Sequence, residues 1–176
     1  MTRASDVPEI SSLADLFAIA YGIEIDAVAR YELLADQMET HNNAELVAMF
    51  RDLARAEGLH AEEIRRLAGD IDVAAHAAQL GAWKSGDSPE EADLNAAHYL
   101  MTPWHALQMA LAGEERALAF FQRILDTAED PGIKAMAAEF VNEETEHVEL
   151  CHRLLRKHQR PPDSWSHDLD PPGGQE

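Results

Sequence analysis

Cysteine is almost missing from this chain: Cys151 is the only one in 176 residues. An internal disulfide framework, a zinc ribbon and a four-cysteine site of the rubredoxin type are thereby excluded. Long apolar runs are missing as well, and none approaches the roughly 18 residues that a bilayer-spanning helix needs. Met1 to Ile10 holds one arginine and no apolar stretch, so no signal peptide is expected and a reducing cytoplasm is the default compartment. Positive charge is scarce, with 14 Lys and Arg against 33 Asp and Glu, for a net charge of −19. Such a surface repels nucleic acid and anionic membranes and could concentrate cations, although its plainest consequence is solubility. A glycine-rich phosphate loop, a serine or cysteine nucleophile elbow and a basic patch are also absent.

What is present suits one domain. The apolar fraction of 46% is enough for one real core. Four long segments repeat apolar residues at helical period and carry start or stop signals. The first covers about residues 12–40, opening at Ser12 with Asp15. Its stripe is Leu13, Phe17, Ala20, Tyr21, Glu24, Ala27, Val28, Tyr31, Leu34, Ala35 and Met38. The second covers about residues 43–68 and stops at Gly69, with Leu46, Met49, Phe50, Leu53, Glu57, His60, Ile64 and Leu67 in line. The third begins at Thr102-Pro103, an N-cap followed by proline. It carries Leu107, Ala110, Leu111, Glu114, Ala117, Leu118, Phe121 and Leu125. The fourth opens at Asp130-Pro131 and ends before Pro161-Pro162, aligning Ile133, Met136, Ala137, Phe140, Val141, Glu144, His147, Cys151, Leu154 and Leu155.

A carboxylate–histidine pattern runs through these stripes twice. Glu24 is followed 33 residues later by Glu57-Gly58-Leu59-His60, and Glu114 is followed 30 residues later by Glu144-Thr145-Glu146-His147. Residues three apart share a helix face, so each Glu-x-x-His pair can grip one metal ion. A glutamate inside an apolar stripe is costly unless a cation or partner offsets it. Four such interruptions, one in the middle of each helix, are expected if the charges surround a buried pair of metals. Each metal then receives one histidine and one terminal glutamate, and two glutamates bridge. Four carboxylates balance two divalent ions. Mixed oxygen and nitrogen ligation favours iron or manganese over zinc, which prefers closed four-coordinate sites.

Connection lengths set the topology. The first and second helices, and the third and fourth, are joined by short links and form antiparallel hairpins. About 32 residues, from Gly69 to Met101, separate the hairpins. That is enough to cross the bundle and return the third helix parallel to the second, the single long crossover of ferritin-like folds. The fold expected is therefore an all-α, four-helix bundle. Within the crossover, Ser88-Pro89-Glu90-Glu91 reads as a capped start to a short helix reaching about Leu100, and Trp83 and Trp104 are expected to pack where it lies on the bundle. The division is an N-terminal segment 1–11, the bundle 12–160, and a flexible Pro-, Asp- and Gly-rich tail 161–176.

These residues also carry a family resemblance. Glu24-Ile-Asp-Ala-Val-Ala-Arg30-Tyr31, followed by the Glu-x-x-His of the second helix, resembles ferritin-like di-iron proteins of the rubrerythrin branch over about residues 12–160. The resemblance implies bridging by Glu57 and Glu144 and terminal ligation by Glu24, His60, Glu114 and His147. It also implies a hydrogen-bonding role near the site for Tyr31, whose other reading is a core tyrosine. Two features depart from the pattern. Rubrerythrins proper add a rubredoxin domain that delivers electrons, and one cysteine cannot build it. They also carry a further glutamate where this chain has Ala117, so the ligand exchange tied to that glutamate lacks its residue here. The centre looks closer to the symmetric two-His, four-Glu version of bacterioferritin-like sites.

The expectation is a di-iron centre, with Mn or Zn as other occupants, that oxidises Fe2+ with O2 or H2O2 or reduces peroxide using an external electron donor. Glu24, Glu57, His60, Glu114, Glu144, His147 and Tyr31 are its site residues. The alternatives are an iron-storage or iron-handling subunit or cargo, and a structural metal-binding interaction module. A homodimer or larger homo-oligomer is expected, and no nucleic-acid or membrane partner. Glu143, four residues before His147, could replace Glu144, but the spacing repeat favours Glu144; Glu143 and Glu146 are read as solvated. His41, His76, His98, His105, His152, His158 and His167 show no inward carboxylate partner and are read as surface or crossover residues. Cys151 is read as a small core residue, and Met38, Met49, Met109 and Met136 as core filling.

Overall fold

The computed structural model describes residues 10–80, 100–162 and 164. Its helices are α1 (Leu13–Thr40), α2 (Ala44–Ala68), α3 (Val73–Leu80), α4 (Pro103–Thr127) and α5 (Pro131–Leu155). Each long helix starts where its cap chemistry dictates. Ser12 accepts the Asp15 backbone N–H onto its hydroxyl at 3.1 Å, and Asn43 Oδ1 accepts from Leu46 at 3.3 Å. Asp130 Oδ1 accepts from Gly132 and Ile133 at 2.8 and 2.9 Å. These bonds satisfy backbone donors that the first turn leaves unpaired. At α4 the first helical residue is Pro103, and the cap includes a histidine: the Thr102 N–H donates to His105 Nδ1 at 3.1 Å. α2 stops at Gly69, whose φ of +63° is costly for any residue with a Cβ.

α1 packs on α2 and α4 on α5; the hairpin backbones come near each other through α2 with α4 and α1 with α5, and α2 meets α5 through the side chains of His60 and His147. The apolar residues separate into two clusters. One gathers Leu16 to Ile23 of α1, Ala61 to Ala68 of α2, Ala117 to Ile124 of α4 and Ile133 to Phe140 of α5. The other gathers Ala27 to Met38, Leu46 to Ala54, Ala106 to Leu111, and Cys151. The early part of α1 thus shares a level with the early part of α5 and the late parts of α2 and α4. Hence α2 and α4 run parallel, and α2 runs antiparallel to α5. Asn43 Nδ2 donating to the Met101 carbonyl at 3.1 Å ties the starting ends of α2 and α4 together. This is the all-α, ferritin-like bundle with its long crossover.

Three expectations change. The crossover contains α3, an alanine-rich helix that no periodic stripe announced, packed on α1. Leu13 and Leu67, placed in the inward stripes, are exposed. His76 is not without a carboxylate partner: its Nε2 lies 2.7 Å from Asp15 Oδ1, and Asp15 is buried. The proposed helix from Ser88, the packing of Trp83, and His98 and His167 lie outside the described residues. Trp104 lies under Arg160, 5.8 Å from guanidinium carbon to ring centroid. Among the described residues no helix is long and apolar enough to cross a membrane.

Candidate metal centre

Between the two apolar clusters lies a single charged layer. Glu24 falls between Ile23 and Ala27 in α1, Glu57 between Ala54 and Ala61 in α2, Glu114 between Leu111 and Ala117 in α4, and Glu144 beyond Phe140 in α5. The same spacing that put each glutamate in an apolar stripe therefore brings all four to one level. All are buried, at 3–5% exposure.

The six residues form two triads. Glu24, Glu57 and His60 offer ligand atoms within 4.8 Å of one another, and so do Glu114, Glu144 and His147; either group could hold a metal ion. His60 Nδ1 lies 3.0 Å from Glu57 Oε2 and 3.7 Å from Glu24 Oε2. His147 Nδ1 lies 3.4 Å from Glu114 Oε2 and 3.5 Å from Glu144 Oε2. The triads face each other, because the rings of His60 and His147 stack with centroids 4.2 Å apart. The buried member of the Glu143/Glu144 pair is Glu144, while Glu143 and Glu146 are exposed.

Crowding acidic groups in an apolar interior perturbs their protonation. Glu24 is held well above the ordinary carboxylate range, first by burial and then by the charges of Glu57, Glu144 and Glu114, with His147 opposing. Glu114 is raised chiefly by burial, against the pull of His147. Burial pulls His147 down, but the carboxylates of Glu114 and Glu144 outweigh it and push the imidazolium up to about 11. Even so, Glu24 Oε2, Glu114 Oε2 and Glu144 Oε2 are buried without a hydrogen bond, their imidazole contacts being 3.4–3.7 Å long. Orphaned buried acceptors are rare and costly in folded proteins. Donor type, sign of charge and geometry here all fit a pair of cations.

Tyr31 stands seven residues beyond Glu24 in α1, buried and stacked on Phe50 with centroids 6.2 Å apart. Ala117, at the position where the resembled family carries an extra glutamate, is fully buried in the first apolar cluster. Cys151 is buried in the second.

A family model described as Rubrerythrin matches residues 15–155. The chain is also similar to an uncharacterized conserved protein from Magnetospirillum magnetotacticum MS-1, known as a crystal structure. The two are 34% identical, with a TM-score of 0.62, over 86% of this chain and 98% of that one. No curated protein matches.

Proposed function

The chain belongs to the rubrerythrin family, and from that premise we propose that it is a di-iron carboxylate oxidoreductase that oxidises Fe2+ with O2 or H2O2, reduces peroxide, or does both. The observation that carries this reading is the set of three orphaned oxygens, Glu24 Oε2, Glu114 Oε2 and Glu144 Oε2, buried in one layer. Burying a carboxyl oxygen without a hydrogen bond is costly unless a partner offsets it. Two divalent ions would offset it and balance four carboxylates.

In this reading Glu24, Glu57 and His60 would hold one iron, and Glu114, Glu144 and His147 the other, with Glu57 and Glu144 as the carboxylates the family resemblance would share between them. The donor set suits iron, or manganese in its place, better than zinc. When bound, the irons supply the redox chemistry by passing between Fe2+ and Fe3+. The chain's own residues do the rest. The glutamates would hold the ions in place, and Glu24 and Glu114, whose carboxyls are raised by burial, would give up protons as the cations enter. The apolar clusters on either side of the layer keep water out, which strengthens every electrostatic contact within it. Tyr31 is the proposed hydrogen-bond partner at the edge of the layer. The proposal extends to a homodimer or larger homo-oligomer in the cytoplasm, and to an outside electron donor wherever peroxide is reduced.

Anaerobic titration of the metal-free protein with Fe2+, followed by air or H2O2, tests the reading through near-UV absorbance. Saturation at two irons per chain and a new ferric band on oxidation are expected. Faster reaction with H2O2 would mark a peroxidase, and faster reaction with O2 a ferroxidase. Binding without oxidation would turn the reading to a structural metal site.

A further inference from the structure

How a cation reaches the layer can be inferred from the same geometry, and the inference rests on the di-metal reading above. The four glutamates are closed off, whereas the side chains of His60 and His147 remain 34% and 20% exposed. Among the described residues, the candidate centre therefore meets solvent on the face between α2 and α5. There the two rings lie nearly parallel, 12° apart in plane, with each Nδ1 turned inward toward its glutamates. Just behind them lie the buried Oε2 atoms of Glu24, Glu114 and Glu144, 3.4–3.7 Å from the ring nitrogens and without a hydrogen bond.

Helix geometry decides what stands outside. α2 and α5 are antiparallel, so one turn forward from His60 lies level with one turn back from His147. Those positions are Glu63 and Glu143, and Glu139 lies one further turn back on the same face of α5. Partial burial raises the Glu143 carboxyl, and the charges around it agree with this placement: His147 and His60 draw it down, while Glu63 and Glu139 push it up. Glu63 is tied to Arg66 on its own helix. Glu143 is thus the carboxylate of the pair that faces the imidazoles.

We propose that Glu143 is the capture residue of a cation portal between α2 and α5. It takes an incoming divalent ion outside the His60–His147 stack and passes it to the inner glutamates when the rings part. Its negative charge favours cations and raises their local concentration at this opening.

Stopped-flow mixing of the metal-free protein with Co2+, followed by the cobalt absorption bands, tests this. Glu143→Gln should lower the association rate about fivefold or more at low ionic strength, with an unchanged endpoint of two ions per chain. The difference should shrink in high salt, because steering by an exposed charge is screened. The control is Glu129→Gln, which removes one exposed charge far from the face and should leave the rate near wild type. A wild-type rate for Glu143→Gln, or an equal slowing in the control, overturns the portal. An endpoint of one ion in Glu143→Gln overturns it too, since Glu143 would then be an inner ligand. A wild-type chain that takes up no pair of ions overturns the di-metal reading itself, and the portal with it.

Discussion

His60 of α2 and His147 of α5 stack face to face, with ring centroids 4.2 Å apart and planes 12° apart. Each ring also presents Nδ1 to the glutamates of its own triad. Two half-exposed side chains of this kind would otherwise sample several rotamers. The stack removes that freedom, so each half-site helps to orient the other.

Two substitutions at His60 separate ligation from orientation. His60→Phe deletes a nitrogen ligand but keeps an aromatic ring against His147; one metal ion per chain should still bind with near wild-type affinity. His60→Ala removes the ring as well. The remaining site should then bind about 10-fold more weakly, or worse, as when a partner that orients a ligand is lost. Titration calorimetry with Co2+ distinguishes the two, and equal affinities in both variants would mean that the stack orients nothing.

Glu24→Gln should stabilise the metal-free protein while abolishing its metal-induced gain. Glu24 is buried among three other carboxylates, with Oε2 unpartnered. An amide of the same shape stays uncharged and keeps a donor at every pH, worth about 1–3 kcal/mol once the pH is high enough to ionise Glu24. That corresponds to a rise in Tm of roughly 2–4 °C per kcal/mol for a chain of this size. Melting curves with and without Co2+ check both halves of the expectation. A metal-free variant that melts below wild type would show that the carboxylate is already satisfied.

Much of this layer is legible in the sequence because its logic is local. Ser12, Asn43, Thr102-Pro103 and Asp130-Pro131 mark helix starts by chemistry confined to one turn. Each Glu-x-x-His pair lies within one helical turn, and the repeat of the spacing picks Glu144 over Glu143. What escapes depends on partners far away in the chain. His76 finds Asp15 only after α3 has docked on α1, and the eight-residue α3 is too short to announce itself by period. His105 completes a capping box at α4 from the position where Glu or Gln is the usual signal. Leu13 and Leu67 sit at the margins of their stripes, where a few degrees of helix rotation decide exposure. The facing of the two triads rests on the side chains that α2 and α5 bring together, seen in the stacking of His60 on His147.

The Asp15–His76 contact should act as the latch that holds α3 to the bundle. Asp15 also accepts from the Ser11 backbone N–H at 3.0 Å and from the Ser11 hydroxyl at 2.7 Å. Burial raises its carboxyl, but the bonds from His76, Ser11 and Ser12 outweigh that and hold it well below the usual range. A depressed folded value means that the stabilisation is present above the unfolded value of 3.8 and is lost as pH falls through the folded one. His76→Ala should cost about 1–2 kcal/mol. It should also speed amide exchange in residues 73–80 while leaving the metal stoichiometry at two. Unchanged protection there would show that α3 is held by its apolar contacts alone.

Gly58 inside α2 and Gly69 at its C-terminal cap should respond in opposite directions. Gly58 is in the helix interior, and a Cβ there meets nothing within 4 Å. Gly58→Ala should therefore stabilise by about 0.5–1 kcal/mol, through reduced freedom of the unfolded chain. Gly69 has φ of +63°, so Gly69→Ala should destabilise by roughly 1–2 kcal/mol although space is available. Chemical denaturation with unchanged m-values checks both, and a destabilised Gly58→Ala would mean that the segment between Glu57 and His60 needs a looser backbone.

Raising the pH should weaken the metal-free fold and strengthen metal binding. His147 is raised to about 11 from an ordinary 6.5, because Glu114 and Glu144 outweigh burial. Its folded value exceeds the unfolded one, so the stabilisation is complete below pH 6.5 and is lost as pH rises toward 11. Glu24 and Glu114, raised from 4.5, act in the same sense from lower pH. Cations replace these protons, so each ion bound releases protons and affinity climbs with pH. Melting temperatures of metal-free and Co2+-loaded protein should therefore diverge from about pH 6.5 upward, the first falling and the second holding. A constant gap across that range would place the competing protons somewhere other than on this layer.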